Sequence, residues 1–333
     1  MQDFSKPNGK FVISLDFELM WGVRDLPIKA SYAPNINGVW EVIPKTLALF
    51  KEYNIKSTIA VVGFLFFKDK KSLEEAVPAH TPSYTDKNLS PYQAYLKGLG
   101  SEETQSRYHF CPELIAEVKA KNAHEIASHT FCHYYCLEEG QTEVEFASDV
   151  EAFNEVASKN GIDIQSIIFP RNQYNPEYAA TIQKAGIRAY RGNETSWLFS
   201  PKTGSERGLA RKIGRFLDRY INISGHNTYS FAQIANTSPY NIPSSRFLSP
   251  YQPKLSFLES LRLQRILSGM THAAKNKEVF HLWWHPHNFG THQKENFAFL
   301  EKIVAHFTYL NATYGFESAT MADLTKLLDQ LKQ

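Results

Sequence analysis

Two acids, Asp16 and Glu18, end the apolar run "KFVISLDFELMWG". Two histidines four residues apart, His129 and His133, follow in "HEIASHTFCH", and Arg171, His285 and His287 come later in "SIIFPRNQ" and "HLWWHPHNFG". Imidazoles at that spacing, on one helical turn or a tight loop, aim at one point, as a pair of metal ligands does. A zincin carries a glutamate after its first histidine, but here Thr130 stands there, so this segment lacks both a general base and an oxygen ligand. Asp16 and Glu18 can fill both places. Side chains two apart on a strand share a face, so one acid can bind metal while the other stays free as a base. Among Val12, Ile13, Leu15, Phe17 and Leu19 an unpaired carboxylate would be costly, which favours a site over a solvated strand end or a salt bridge to Arg24.

The elements that must position these residues alternate. Short apolar runs ("FVISLDF", "KSTIAVVGFLFF", "HEIASH", "SIIFP", "IRAYRG", "VFHLWWHP") are separated by amphipathic stretches ("VWEVIPKTLALFKEYN", "CPELIAEVKAKN", "NPEYAATIQKAG", "KENFAFLEKIVAHFTYLNATYG"). The helix "TEVEFASDVEAFNEVASKNG" opens with Thr142 and Glu145 as a capping box and closes at Gly161. No glycine-rich phosphate loop follows any strand, which favours a closed barrel over an open doubly wound sheet. The prediction is an α/β fold: a distorted (β/α) barrel of about seven strands, one domain over residues 1–333, its chemistry at the carboxyl ends of the strands. Turn-rich stretches at about 68–110 and 193–253 read as two insertions.

"SLDFE", "SHTFCH", "FPRNQ" and "WWHPHNF" resemble, in order and spacing, the signature motifs of the polysaccharide deacetylases, carbohydrate esterase family four. Most members have adjacent aspartates in the first motif; Asp16-Phe17-Glu18 resembles a branch with one residue between the acids. The resemblance implies Asp16 as general base, with Glu18, His129 and His133 as ligands of a divalent metal. It also implies Arg171 as the arginine that orients the aspartate and His285 as general acid. His287 and Trp284 then border the substrate; Trp283 and Trp284 could both line a sugar site, with at least one of the two in the core, and "YRGNETSW" resembles a site loop with Arg191, Glu194 and Trp197 near the sugar. Zinc suits the mixed donor set first, and cobalt, nickel or iron would also fit. The implied reaction is removal of an N-acyl group, acetyl above all, from an amino sugar. A formamido sugar, a small nitrogen compound or a non-catalytic carbohydrate-binding role are the alternatives.

Net charge is +2 over 333 residues, so no global field marks a nucleic-acid binder. Three cysteines argue against a disulfide framework, "MQDFSKPNGK" lacks the apolar core of a secretory signal, and no run approaches the roughly 18 apolar residues of a membrane span. These features predict a cytoplasmic protein. In "ERGLARKIGRFLDRY", Arg207, Arg211, Arg215 and Arg219 recur every four residues, a helical row suited to the phosphates of a nucleotide- or lipid-linked sugar, or to an anionic membrane surface. With the cytoplasmic setting, that row points to an intermediate of surface-polysaccharide assembly.

Overall fold

A computed structural model describes residues 7–25, 32–100, 103–199 and 209–332. Its centre is a parallel sheet: β1 (Lys10–Phe17), β2 (Ser57–Val61), β3 (His124–Ser128), β4 (Ser166–Ile167), β5 (Ala189–Tyr190), β6 (Tyr240–Asn241), β7 (Arg246–Phe247) and β8 (Val279–Trp284), with β9 (Glu317–Ala319) beside β1. The strand order is β6-β5-β4-β3-β2-β1-β8-β7. Its two ends are consecutive in the chain: β6 pairs with β5, β7 pairs with β8, and only 242–245 lie between.

That short link closes the ring. Ile242 and Ser244 donate backbone N–H groups to Tyr190 and Gly192, whereas Ser245 and Leu248 donate to His281 and Trp283. Residues 240–247 therefore act as one strand that changes neighbours halfway, and the barrel has seven staves. This corrects the reading of 193–253 as an insertion throughout, since its last part is barrel wall.

Two-residue alternation sorts the strands into an inside and an outside. Phe11, Ile13, Leu15 and Phe17 of β1 and Phe280, Leu282 and Trp284 of β8 face the large outer core beneath the helices. Val12, Ala60, Ala127, Ile168, Ala189 and Val279 form a second, inner cluster closed at its base by Met321, Leu324 and Leu328 of the helix Met321–Lys332. The inner residues are mostly small, as a narrow barrel requires. Above them the interior turns polar with Ser14, Asp16 and His281, all buried.

Helix ends follow local rules. Thr142 caps Glu143–Lys159 in a complete capping box with Glu145, and Gly161 takes φ +62° just past the end. Helix Ala33–Glu52 meets the loop after His287 backbone to backbone. A Cβ added to Gly38 would lie 2.1 Å from the Gly290 carbonyl oxygen, so only glycine permits this approach. Among the described residues no helix is long and apolar enough to cross a membrane.

Candidate metal and acid–base site

Strand β1 ends by delivering both acids inward. Asp16 and Glu18 are buried, and Glu18 Oε2 lies 3.3 Å from His129 Nε2 and 3.1 Å from His133 Nε2. Gly22 leaves room for this carboxylate, since a Cβ there would stand 1.9 Å from Glu18 Cδ. Burial works against the charge of Glu18, but His285, His129 and His133 around it hold the carboxyl well below its ordinary range.

The loop after β3 brings the histidines together. Thr130 and His133 both take positive φ, and the Thr130 Oγ1 accepts the Tyr134 N–H at 2.6 Å, which tightens the turn. Asp149, from helix Glu143–Lys159, accepts the N–H groups of Phe131 (2.7 Å) and Cys132 (3.0 Å) and fixes the loop from behind. The Ile168 carbonyl oxygen can only accept, so it orients His129 through Nδ1–H at 2.8 Å and leaves Nε2 free to face Glu18. One carboxylate and two imidazoles with their donor atoms within 4.8 Å of one another fit a divalent cation.

Asp16 belongs to a different network. Arg191, from the end of β5, donates Nη1–H to Asp16 Oδ1 at 2.6 Å and Nη2–H to Oδ2 at 2.7 Å. The same guanidinium donates to Ser14 Oγ (3.0 Å) and Asn172 Oδ1 (2.8 Å), and its face lies 4.0 Å from the Trp283 ring. Burial raises the Asp16 pKa, yet the Arg191 charge and hydrogen bonds outweigh it and bring the carboxyl below its usual value. Behind this pair, His281 Nδ1 is 3.2 Å from the Ile242 carbonyl oxygen and Nε2 is 2.8 Å from Ser14 Oγ. With Nδ1–H donated to that carbonyl, Nε2 accepts from the Ser14 hydroxyl, and a neutral imidazole ties β1 to the closing strand. Burial, aided by the Arg191 charge, pushes the His281 pKa down to about 3.

His285 faces both acids. Its Nε2 is 3.7 Å from Asp16 Oδ2 and 3.7 Å from Glu18 Oε1, while its Nδ1 lies 3.3 Å from Asn288 Oδ1. His287 stacks on it, ring centroids 5.0 Å apart, with Nδ1 3.8 Å from Glu18 Oε1. Trp283 and Phe247, both half-buried, stand edge to face with His285.

Several expected residues lie elsewhere. Arg171 does not reach Asp16. It pairs with Asp25 and Glu138 and is stacked over Tyr135, because its strand end points to the loop around residue 25 rather than across the barrel. Arg191, expected against substrate, is the arginine on Asp16. Trp284 stacks on Phe289 in the outer core, and its neighbour Trp283 takes the inward position. Trp197 is 63% exposed. Glu194 is buried near Arg246 and Ser244. In the arginine row, Arg211 and Arg215 donate to the carbonyl oxygens of Trp197 and Leu198, and Arg207 lies outside the described residues. Asp149, Ser14 and Asn172 had no sequence signal beyond their polarity.

A family model, polysaccharide deacetylase, matches residues 34–190. Just under half of the chain is thus similar to the polysaccharide deacetylases. The matched region contains His129 and His133 and stops one residue short of Arg191. The fold is similar to that of a candidate polysaccharide deacetylase from Mycobacterium smegmatis at 13% identity and TM-score 0.61, over 98% of this chain and 92% of that one. A candidate polysaccharide deacetylase from Pseudomonas aeruginosa PAO1 aligns at 12% identity and TM-score 0.48, over 96% and 90%. A pseudoenzyme of carbohydrate esterase family four from Bacillus anthracis aligns at 10% identity and TM-score 0.43, over 96% and 66%. No curated protein matches the chain.

Proposed function

We propose that this protein, similar to the polysaccharide deacetylases over residues 34–190, is a metal-dependent hydrolase that removes an N-acyl group, acetyl above all, from an amino sugar. One observation carries the reading: His285 Nε2 lies 3.7 Å both from Glu18 of the Glu18–His129–His133 cluster and from Asp16 of the Asp16–Arg191 pair, so the three parts meet at one place. Each part alone has a structural explanation, but a buried ligand set beside a separate, arginine-held carboxylate and a half-buried histidine matches the demands of amide hydrolysis.

Glu18, His129 and His133 would hold the cation, zinc first and cobalt, nickel or iron as alternatives. When bound, such an ion acts as a Lewis acid and makes water more acidic. Asp16, kept anionic by Arg191, takes the proton from the water that attacks the acyl carbon. Each of its oxygens retains a lone pair beyond the one given to Arg191. The C–N bond then breaks, and His285 donates a proton to the departing nitrogen so that it leaves as an amine. Atoms balance as water plus amide giving carboxylic acid plus amine. Trp283 and Phe247 flank His285 and offer an apolar wall for a sugar ring.

We place the substrate among nucleotide- or lipid-linked intermediates of surface-polysaccharide assembly, met inside the cell. The test is a panel of N-acylated nucleotide sugars, lipid-linked sugars and polymeric chitin or peptidoglycan, with the metal-loaded protein and detection of acetate and formate. Acetate from a carrier-linked sugar, lost in Asp16→Asn, is the expected result. Release from polymer alone would overturn the carrier assignment, formate alone would replace acetyl with formyl, and no release from any of them would overturn the sugar N-deacylase reading.

A further inference from the structure

The helix Leu209–Asp218 has its polarity reversed relative to a solvated surface helix. Three of its charged groups turn toward the protein: Arg211 and Arg215 donate to the Trp197 and Leu198 carbonyl oxygens, and the buried Asp218 carboxylate is held by Arg246 and Arg265. Its apolar groups turn to water. Ile213, Phe216, Leu217 and Ile221 fall at i, i+3, i+4 and i+8, one helical face prolonged by the Ile221 N–H to Leu217 carbonyl bond at 3.0 Å. These four are 40–51% exposed, and Ile223 follows them into solvent. A contiguous stripe of large apolar side chains is what a soluble surface normally avoids.

The charges at its edge select the occupant. Lys212 is exposed and Arg219 half-buried beside the stripe, and the helix's only acid, Asp218, is neutralised inside the protein. A second copy docking through the same stripe would set cation against cation, whereas anionic lipid headgroups complement it. Trp197, exposed on the loop that Arg211 grips, adds an indole of the kind that sits at a bilayer interface. We propose that the face formed by Ile213, Phe216, Leu217, Ile221 and Ile223 seats this protein on an anionic lipid bilayer.

The loop that carries Trp197 and Leu198 begins just after Arg191, so the anchor is continuous in chain with the residue that grips Asp16. That a bilayer-seated site serves a lipid-linked sugar rests on the proposed activity; the anchor itself does not. The test sediments the full chain with phosphatidylcholine vesicles, with and without phosphatidylglycerol. Co-sedimentation with the anionic vesicles is expected, reduced about tenfold or more by Phe216→Ser with Leu217→Ser, each a loss of buried apolar surface in the interface. Lys212→Glu should weaken binding to anionic vesicles and leave neutral ones unaffected. Unchanged thermal melting and unchanged hydrolysis of a water-soluble N-acyl sugar would show both variants folded. Bound protein without hydrolysis of any substrate would overturn the reaction and leave the anchor standing. Equal sedimentation of wild type and variants overturns the anchor, as does a wild-type dimer in light scattering that the double substitution dissociates.

Discussion

Asp16 is held as an anion by a guanidinium that meets both its oxygens, and the identity of that guanidinium has consequences for activity. Arg191 makes a planar, two-bond fork that lysine cannot reproduce. Arg191→Lys should lower kcat on the acylated substrate by about 10²-fold, with KM nearly unchanged, because the aspartate loses its fixed orientation for proton transfer. Arg171→Lys, remote from Asp16, should change kcat by roughly threefold or less, since it alters a partly exposed ion pair. Steady-state kinetics on both variants decide between them; equal losses would refute the assignment. Both arginines follow predicted strands and both precede turn residues, so spacing alone could not say which one crosses the barrel. The same limit applies to Trp283 and Trp284. Adjacent residues on a strand face opposite ways, and only the register of β8 against β1 shows that Trp283 points inward.

At the scale of elements, the strand over 240–247 is the part that was hidden. "YNIPSSRF" lacks the apolar alternation of a half-buried strand because its inward groups meet a polar interior and its hydrogen bonds are divided between β5 and β8. His281 links this strand to β1 through Ser14, and its buried, neutral state makes the link sensitive to acid. Its folded pKa of about 3 lies below the ordinary 6.5, so its contribution is fully present above 6.5 and is lost as pH falls toward 3. In that window the stability difference between wild type and His281→Gln should shrink as pH falls, at up to ~1.4 kcal/mol per pH unit. Urea unfolding at a series of pH values measures it, and a constant difference would show that His281 is protonated in the fold. The helix Glu143–Lys159, by contrast, was legible to its cap, since Thr142, Glu145 and Gly161 act on the backbone next to them.

For the whole molecule, the candidate cation site joins segments far apart in the chain: the residue after β1 is Glu18, and the loop after β3 supplies both histidines. An ion that binds this arrangement and not the unfolded chain must stabilise the fold. At zinc a hundredfold above its Kd, Tm should rise by roughly 5 °C, from ~2.7 kcal/mol of binding linkage. The rise should vanish in His129→Ala, in His133→Ala and with chelator. A persistent shift in those variants would place the ion elsewhere.

The sequence by itself determined the βα rhythm, the barrel class and the types of group at the strand ends, because periodicity, capping and local turn chemistry act over a few residues. Glu18, His129 and His133 were legible because their side chains gather within one strand end and one loop. Which arginine holds Asp16, which tryptophan faces inward, where the ring closes and which side of Leu209–Asp218 meets water were decided only by the tertiary structure. Each depends on register or orientation set by contacts between separate elements, from 14 positions apart for Arg211 and Trp197 to 175 for Arg191 and Asp16.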